Sequence, residues 1–185
     1  MNNTVNLKSD PISQTLDNKR FEYLVKFMKN PIEPILDIGS QNDFGLKVAQ
    51  HYGISICNTD GDLDYPDWIP LGDDYYNAVW IFEVIEHLMN PALFLKELKD
   101  IIDLNTKIYV TYPFRSVVSY WSDTHFNEMD EKRFRTLVES CGYEIVRHEK
   151  HRLYRKWNFY LRGIRPLIRL FFVPYCQNYY ELRLR

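Results

Sequence analysis

Apolar residues along this chain change their spacing several times, and each change marks out an element. Between residues 16 and 29, Phe21, Leu24, Val25 and Met28 fall at i, i+3, i+4 and i+7, which is one face of a helix. The prolines of "NPIEP" stop it. "ILDIG" (35–39) is a short apolar run closed by glycine and reads as a buried strand. Residues 44–52 read as a helix ended by Gly53. "ISICNTD" (54–60), "NAVWIF" (77–82) and "KIYVTYP" (107–113) read as three further strands.

The later helices are clearly punctuated. Asn90-Pro91 supplies an N-cap and a first-turn proline ahead of Phe94, Leu95, Leu98, Ile101 and Ile102. Asp130 caps a helix carrying Phe134, Leu137, Val138 and Cys141, with Gly142 just beyond. "YEIV" (143–146) reads as one more strand. Strands alternating with helices predict an α/β fold with a mainly parallel sheet. No repeat or low-complexity segment interrupts residues 1–185, so a single domain is expected.

The strand ends carry the candidate chemistry. In open α/β sheets ligands bind outside the carboxyl ends of the strands, and here the first four strands end at or beside Asp37 and Gly39, Asp60, Glu83, and Pro113. A strand closing on an acid and a glycine, followed by a tight loop into a helix, brings backbone N–H groups close to a ligand. Asp60 follows about 20 residues later, the spacing at which a carboxylate meets a ribose hydroxyl pair.

The segments "ILDIGS", "NTDGD", "IPLGDDYYNAVWIFEVIEHLMNP", "IYVTYP" and "HFNEMDEKRFRTLVESCGYEIV" together resemble the class I S-adenosylmethionine-dependent methyltransferases, over roughly residues 33–147. They are most similar to the small-molecule type with an EVIEH motif, such as the ubiquinone-pathway O-methyltransferases. The resemblance implies a Rossmann-like sheet with helices on both faces, holding S-adenosylmethionine. Asp37, Gly39 and Ser40 would lie beside its methionine part, Asp60 and Gly61 at the ribose, and Phe82 near the sulfonium. The chain departs from the family pattern at Gln41, where the middle glycine of the loop belongs. It also leaves only residues 61–76 between Asp60 and the next strand, so the sheet is expected to be shortened around its third strand. Asp73 and Asp74 are the candidates for reading the adenine.

Glu83, Glu86 and His87 stand at i, i+3 and i+4. If the chain turns helical after Phe82, they share one face. Two carboxylates and an imidazole are plausible ligands for Mg²⁺ or another divalent metal, and His125 in "THFNE" could complete the set. The same pattern occurs in the ubiquinone-pathway enzymes and in 2′-O-methyltransferases of small-RNA 3′ ends, where the resemblance implies a metal on the acceptor hydroxyl. Without a metal, Glu83, His87 and His125 are candidate catalytic groups, with His125 as general base. A third reading has the two glutamates simply complementing a helix dipole.

The net charge of −2 hides an asymmetry. Residues 147–185 hold 10 Lys+Arg against 2 Asp+Glu, while the remainder hold 13 against 23. The residues from 148 onward therefore read as a basic, aromatic extension. "NYYELRLR" alternates like an edge strand. The stretch 153–172, with Trp157, Phe159, Tyr160, Phe171 and Phe172, fits a packed charged face, a lid or dimer contact, an anionic membrane surface, or a nucleic-acid grip. Three scattered cysteines, no signal-peptide pattern and no run of about 20 apolar residues predict a cytoplasmic protein. The expected activity is S-adenosylmethionine-dependent methylation of a small-molecule oxygen. RNA methylation and cofactor binding without catalysis are the alternatives.

Overall fold

The computed structural model describes residues 11–65, 75–115, 123–154, 161, 163–164 and 175–185. Asp73 and Asp74, most of the 153–172 stretch and residues 116–122 lie outside these residues, and with them the adenine contact and the membrane or nucleic-acid readings of the tail. Helix α1 spans Pro11–Phe27, and strand β1 spans Ile35–Asp37. They are followed by α2 (Asp43–Tyr52), β2 (Cys57–Asn58), β3 (Ala78–Phe82) and α3 (Pro91–Glu97), the last running into a 3₁₀ turn over Leu98–Ile101. Then come β4 (Lys107–Arg115), α4 (Glu131–Ser140), β5 (Tyr143–Arg152) and β6 (Tyr175–Leu184).

The strands form one sheet in the order β2-β1-β3-β4-β6-β5. β1 pairs in parallel with β2 and β3, and β3 with β4, whereas β6 is antiparallel to both β4 and β5. β6 alone runs against the other five. Successive side chains point to opposite faces of a strand, and each face has its own core. Leu36, Val79, Ile81, Ile108, Val110 and Tyr112 pack with α3 and α4 residues such as Phe94, Leu95, Phe134 and Val138. Ile35, Ala78, Trp80 and Tyr109 pack with Leu24, Phe27 and Val48 from α1 and α2. The fold class is therefore α/β, a mixed sheet with helices on both faces.

Helix punctuation follows the residue chemistry. The side chains of Asn42, Asn90 and Asp130 each accept from a first-turn backbone N–H at the starts of α2, α3 and α4. Gly53, at φ 67°, closes α2 in the left-handed conformation that glycine adopts without a Cβ penalty.

Three expectations need correction. The chain does not turn helical after Phe82. Residues 83–88 form a non-helical turn, with His87 N donating to Val84 O at 2.9 Å, and α3 begins only at Pro91. β2 shrinks to two residues at the sheet edge. The alternating C-terminal segment is not an edge strand either. β6 lies between β4 and β5, and β5 runs on past Arg147 to Arg152. Tyr179 and Tyr180, which point to opposite faces of β6, are both buried in the cores.

An interior strand cannot be lost without exposing both neighbours. Truncation before Tyr175 is expected to abolish cooperative urea unfolding. A truncated chain that kept the full-length midpoint and slope would contradict the interior placement.

Candidate functional site

The topology puts a crevice where the strand order reverses. From β1 the chain crosses outward to β2, then returns to β3 on the other side of β1, so loops leave the carboxyl ends of β1 and β3 in opposite directions. Asp37 ends β1 and is 2% exposed. Its Oδ2 accepts from Asn58 Nδ2 at 3.1 Å, and the same amide donates to Gly39 O at 3.2 Å. Gly39, at φ 102°, donates its N–H to Thr59 Oγ1 at 2.7 Å. The ends of β1 and β2 are thereby tied into one unit.

α2 lies close above it. A Cβ on Gly45 would stand 2.4 Å from Asp37 Oδ2, so any larger residue there would force this carboxylate or the first turn of α2 to shift. Burial pushes the Asp37 carboxyl up to about 7, opposed by the Asn58 hydrogen bond. Near neutral pH this acid thus stands close to its midpoint, and a cationic ligand beside it would favour the anionic form. Beyond β2, Asp60 is exposed and accepts from its own loop at Gly61 N, 2.9 Å. Ser40 and Gln41 are exposed on the loop into α2.

A cavity of about 470 Å³ adjoins this unit, lined by Asn42, Phe44 and Lys47 of the α2 region, Phe82 and Glu83 at the end of β3, Arg20 of α1, and Thr111, Gln177 and Tyr179 of the neighbouring strands. Phe82 stacks on Trp80 with centroids 5.3 Å apart and meets Phe44 edge-on. Glu83 has φ 56°, a left-handed conformation that costs a non-glycine residue roughly 1–2 kcal/mol. Its surroundings hold it there. Its N–H donates to Thr111 O at 2.9 Å, and its Oε1 accepts from Thr111 Oγ1 at 3.0 Å and from Gln177 Nε2. Its Oε2 pairs with Arg20 Nη2 at 3.2 Å.

The turn carries a second cluster. The Glu86 carboxylate is 1% exposed, and among the described residues neither of its oxygens has a hydrogen-bond partner. Burial first, then the nearby Glu83 carboxylate, drives the Glu86 carboxyl far above its ordinary range. His87 and His125 meet edge to face with centroids 4.7 Å apart. One ligand atom from each of Glu86, His87 and His125 lies within 4.8 Å of the others. Glu83 is not one of this group. Its left-handed backbone sends it to Arg20 and Gln177 instead.

No family profile and no curated protein sequence matches the chain. Its structure does have known likenesses. A SAM-dependent methyltransferase from Archaeoglobus fulgidus is 16% identical with a TM-score of 0.63, over 91% of this chain and 94% of that one. Phosphoethanolamine N-methyltransferase 2 of Haemonchus contortus, solved with S-adenosyl-L-methionine, is 9% identical with a TM-score of 0.62, over 90% of this chain and 52% of that one. The [4+2]-cyclase SpnF is 12% identical with a TM-score of 0.60, over 90% of this chain and 81% of that one. The chain has the Rossmann-like methyltransferase fold.

Within that fold, Asp37, Gly39 and Phe82 come together around the crevice, with Asp60 and Gly61 on its β2 side and Ser40 on the exposed loop. Glu86, His87 and His125 form their own cluster beyond Glu83. The sequence reading missed Asn58 and Thr59, which tie the loop, and Arg20, Thr111, Gln177 and Tyr179, which reach the cavity from distant segments. Asn58 and Thr59 had a local signal, as polar residues directly before Asp60. Gln177 and Arg20 had none, because strand register and helix packing bring them in. No helix among the described residues is long and apolar enough to cross a membrane.

The folded pKa of Asp37 lies above its ordinary 3.8, so its stabilising contribution is fully present below about 4 and is lost as pH rises through about 7. Asp37→Asn is expected to be more stable than the native chain at pH 8. The gap should shrink by on the order of 2 kcal/mol at pH 5. Urea unfolding at the two pH values measures this, and a gap that does not change with pH would rule out the burial effect.

Proposed function

We propose that this protein is an S-adenosylmethionine-dependent methyltransferase acting on an oxygen of a small molecule. The observation that carries the reading is the tied unit of Asp37, Gly39 and Asn58 under the first turn of α2, opening beside a cavity walled by Phe82 and Glu83. In this reading Asp37 and Gly39, with Ser40 beside them, face the methionine part of the cofactor. Asp60 and Gly61 meet the ribose hydroxyls, and Phe82 lies against the sulfonium.

The transfer is an in-line displacement. The acceptor oxygen forms a bond to the methyl carbon as the carbon–sulfur bond breaks. S-adenosylhomocysteine leaves as a neutral thioether. The acceptor's proton passes to Glu83, the carboxylate that Thr111, Gln177 and Arg20 hold at the cavity wall. Positioning supplies much of the rate, and the strain stored at Glu83 fits a side chain fixed ahead of the chemistry.

An oxygen acceptor is favoured by the second cluster. Two imidazoles and a buried carboxylate whose oxygens have no hydrogen-bond partner among the described residues suit a divalent cation, and Glu86, His87 and His125 would hold it. Bound there, a cation would acidify an acceptor hydroxyl. Glu83 lies outside that group and is free of ligation duty.

Transfer of label from methyl-labelled S-adenosylmethionine to a pool of hydroxylated small molecules tests the activity, and calorimetry tests cofactor binding. Asp60→Ala is expected to weaken binding about 10–100-fold, the value of a charge-assisted hydrogen bond. Glu83→Gln should bind the cofactor normally and turn over about 100-fold more slowly. Cofactor binding without transfer to any acceptor would favour the non-catalytic reading. Absence of binding would defeat the proposal.

A further inference from the structure

The cavity beside Phe82 and Glu83 is polar for a ligand site. Such cavities are mostly lined by apolar side chains, with a few placed polar groups. Here eight of the eleven described lining residues are polar or charged, and the other three are the aromatics Phe44, Phe82 and Tyr179.

The charges are of both signs. Asp43 and Lys47 stand one turn apart on α2, at i and i+4, and both line the cavity. Lys47 Nζ gives one N–H to Asn18 Oδ1 at 2.9 Å and lies 4.4 Å from the Phe21 ring centroid, with a further donor to spare. From α1, Asp17 meets Arg20 Nη1 at 3.6 Å, and Arg20 reaches on to Glu83. The aromatics contribute ring surface. Tyr179 OH is already engaged, donating to Arg20 O at 3.2 Å, and the half-buried rings of Phe44 and Phe82 meet edge-on.

This lining discriminates among ligands. An anion would meet its own sign at Asp17, Asp43 and Glu83, and a cation at Arg20 and Lys47. A flat apolar ring would strip these groups of water without replacing their hydrogen bonds. A hydroxyl is donor and acceptor at once, so a ligand carrying several pairs with acids and bases alike. A saturated sugar ring also has C–H faces that pack on aromatic rings.

We propose that the methyl acceptor is a carbohydrate, modified on a ring hydroxyl, and that Asp43 and Lys47 select it. This rests on the methyltransferase reading above and names its substrate class. The sugar oxygen bonds to the methyl carbon as the carbon–sulfur bond breaks, the thioether leaves, and the hydroxyl proton passes to Glu83. Asp43 and Lys47 bind neighbouring hydroxyls of the same ring, one as acceptor and one as donor.

Saturation-transfer NMR on the full chain loaded with S-adenosylhomocysteine reads acceptor binding without turnover. At least one of the methyl glycosides of glucose, mannose and rhamnose is expected to bind, and catechol and 4-hydroxybenzoate are not. The glycoside that binds should also take up label from methyl-labelled S-adenosylmethionine. Asp43→Ala and Lys47→Ala should each weaken its binding about 10–100-fold, the value of a charge-assisted hydrogen bond, and leave the affinity for S-adenosylhomocysteine at its native value. Binding of the phenols alone, or of neither class by the loaded chain, would overturn the carbohydrate assignment while the methyltransferase reading is judged by cofactor binding and label transfer. Native glycoside affinity in both variants would overturn the selecting role of Asp43 and Lys47. If S-adenosylhomocysteine itself does not bind, the methyltransferase reading fails and this inference with it.

Discussion

The structure depends on one close approach, that of the first turn of α2 over the carboxylate of Asp37. A glycine at position 45 permits it, because a Cβ there would overlap Asp37 Oδ2. Burying a carboxylate is unfavourable unless it is hydrogen-bonded or neutral. Here Asn58 supplies a hydrogen bond, and the raised pKa allows protonation near neutral pH. The same asparagine amide binds Gly39 O, so the contact that accommodates the acid also sets the loop between β1 and α2. A cation-bearing ligand entering the crevice would find a carboxylate whose protonation state responds to it.

A second polar network stands across the crevice. Glu83 is forced into a left-handed conformation at the end of β3 and is met there by α1, β4 and β6. That arrangement requires β6 to lie beside β4, so the interior place of the last strand is a condition for the site as well as for the core. The turn after Glu83 then releases Glu86 and His87 toward His125 instead of continuing a helix. One backbone angle thus separates the two carboxylates into two environments: Glu83 paired with an arginine, and Glu86 buried beside two imidazoles.

What the sequence made legible was whatever depended on neighbours in the chain. Asp37, Gly39 and Asp60 stood out because strand ends are marked by a switch from apolar run to acid and glycine, and the caps at Asn90 and Asp130 followed from short-range chemistry. The shared helical face expected for Glu83, Glu86 and His87 was wrong because spacing alone does not reveal a left-handed residue between strand and turn. The edge assignment of the last strand failed for a related reason. Alternation shows that a segment is a strand, but its partners are set by register with β4 and β5, far away in sequence. Gln177 reaches Glu83 across 94 residues, a contact that no local pattern encodes.

The central claim is that the cofactor lies across the crevice between β1 and β3, and a crystal structure of the chain with S-adenosylhomocysteine tests it most directly. The account predicts the ribose hydroxyls on Asp60, the amino acid part beside Asp37 and Gly39, and the sulfur next to Phe82, facing the cavity walled by Glu83 and Gln177. The nucleoside bound elsewhere, or the crevice closed while the ligand is bound, would contradict it.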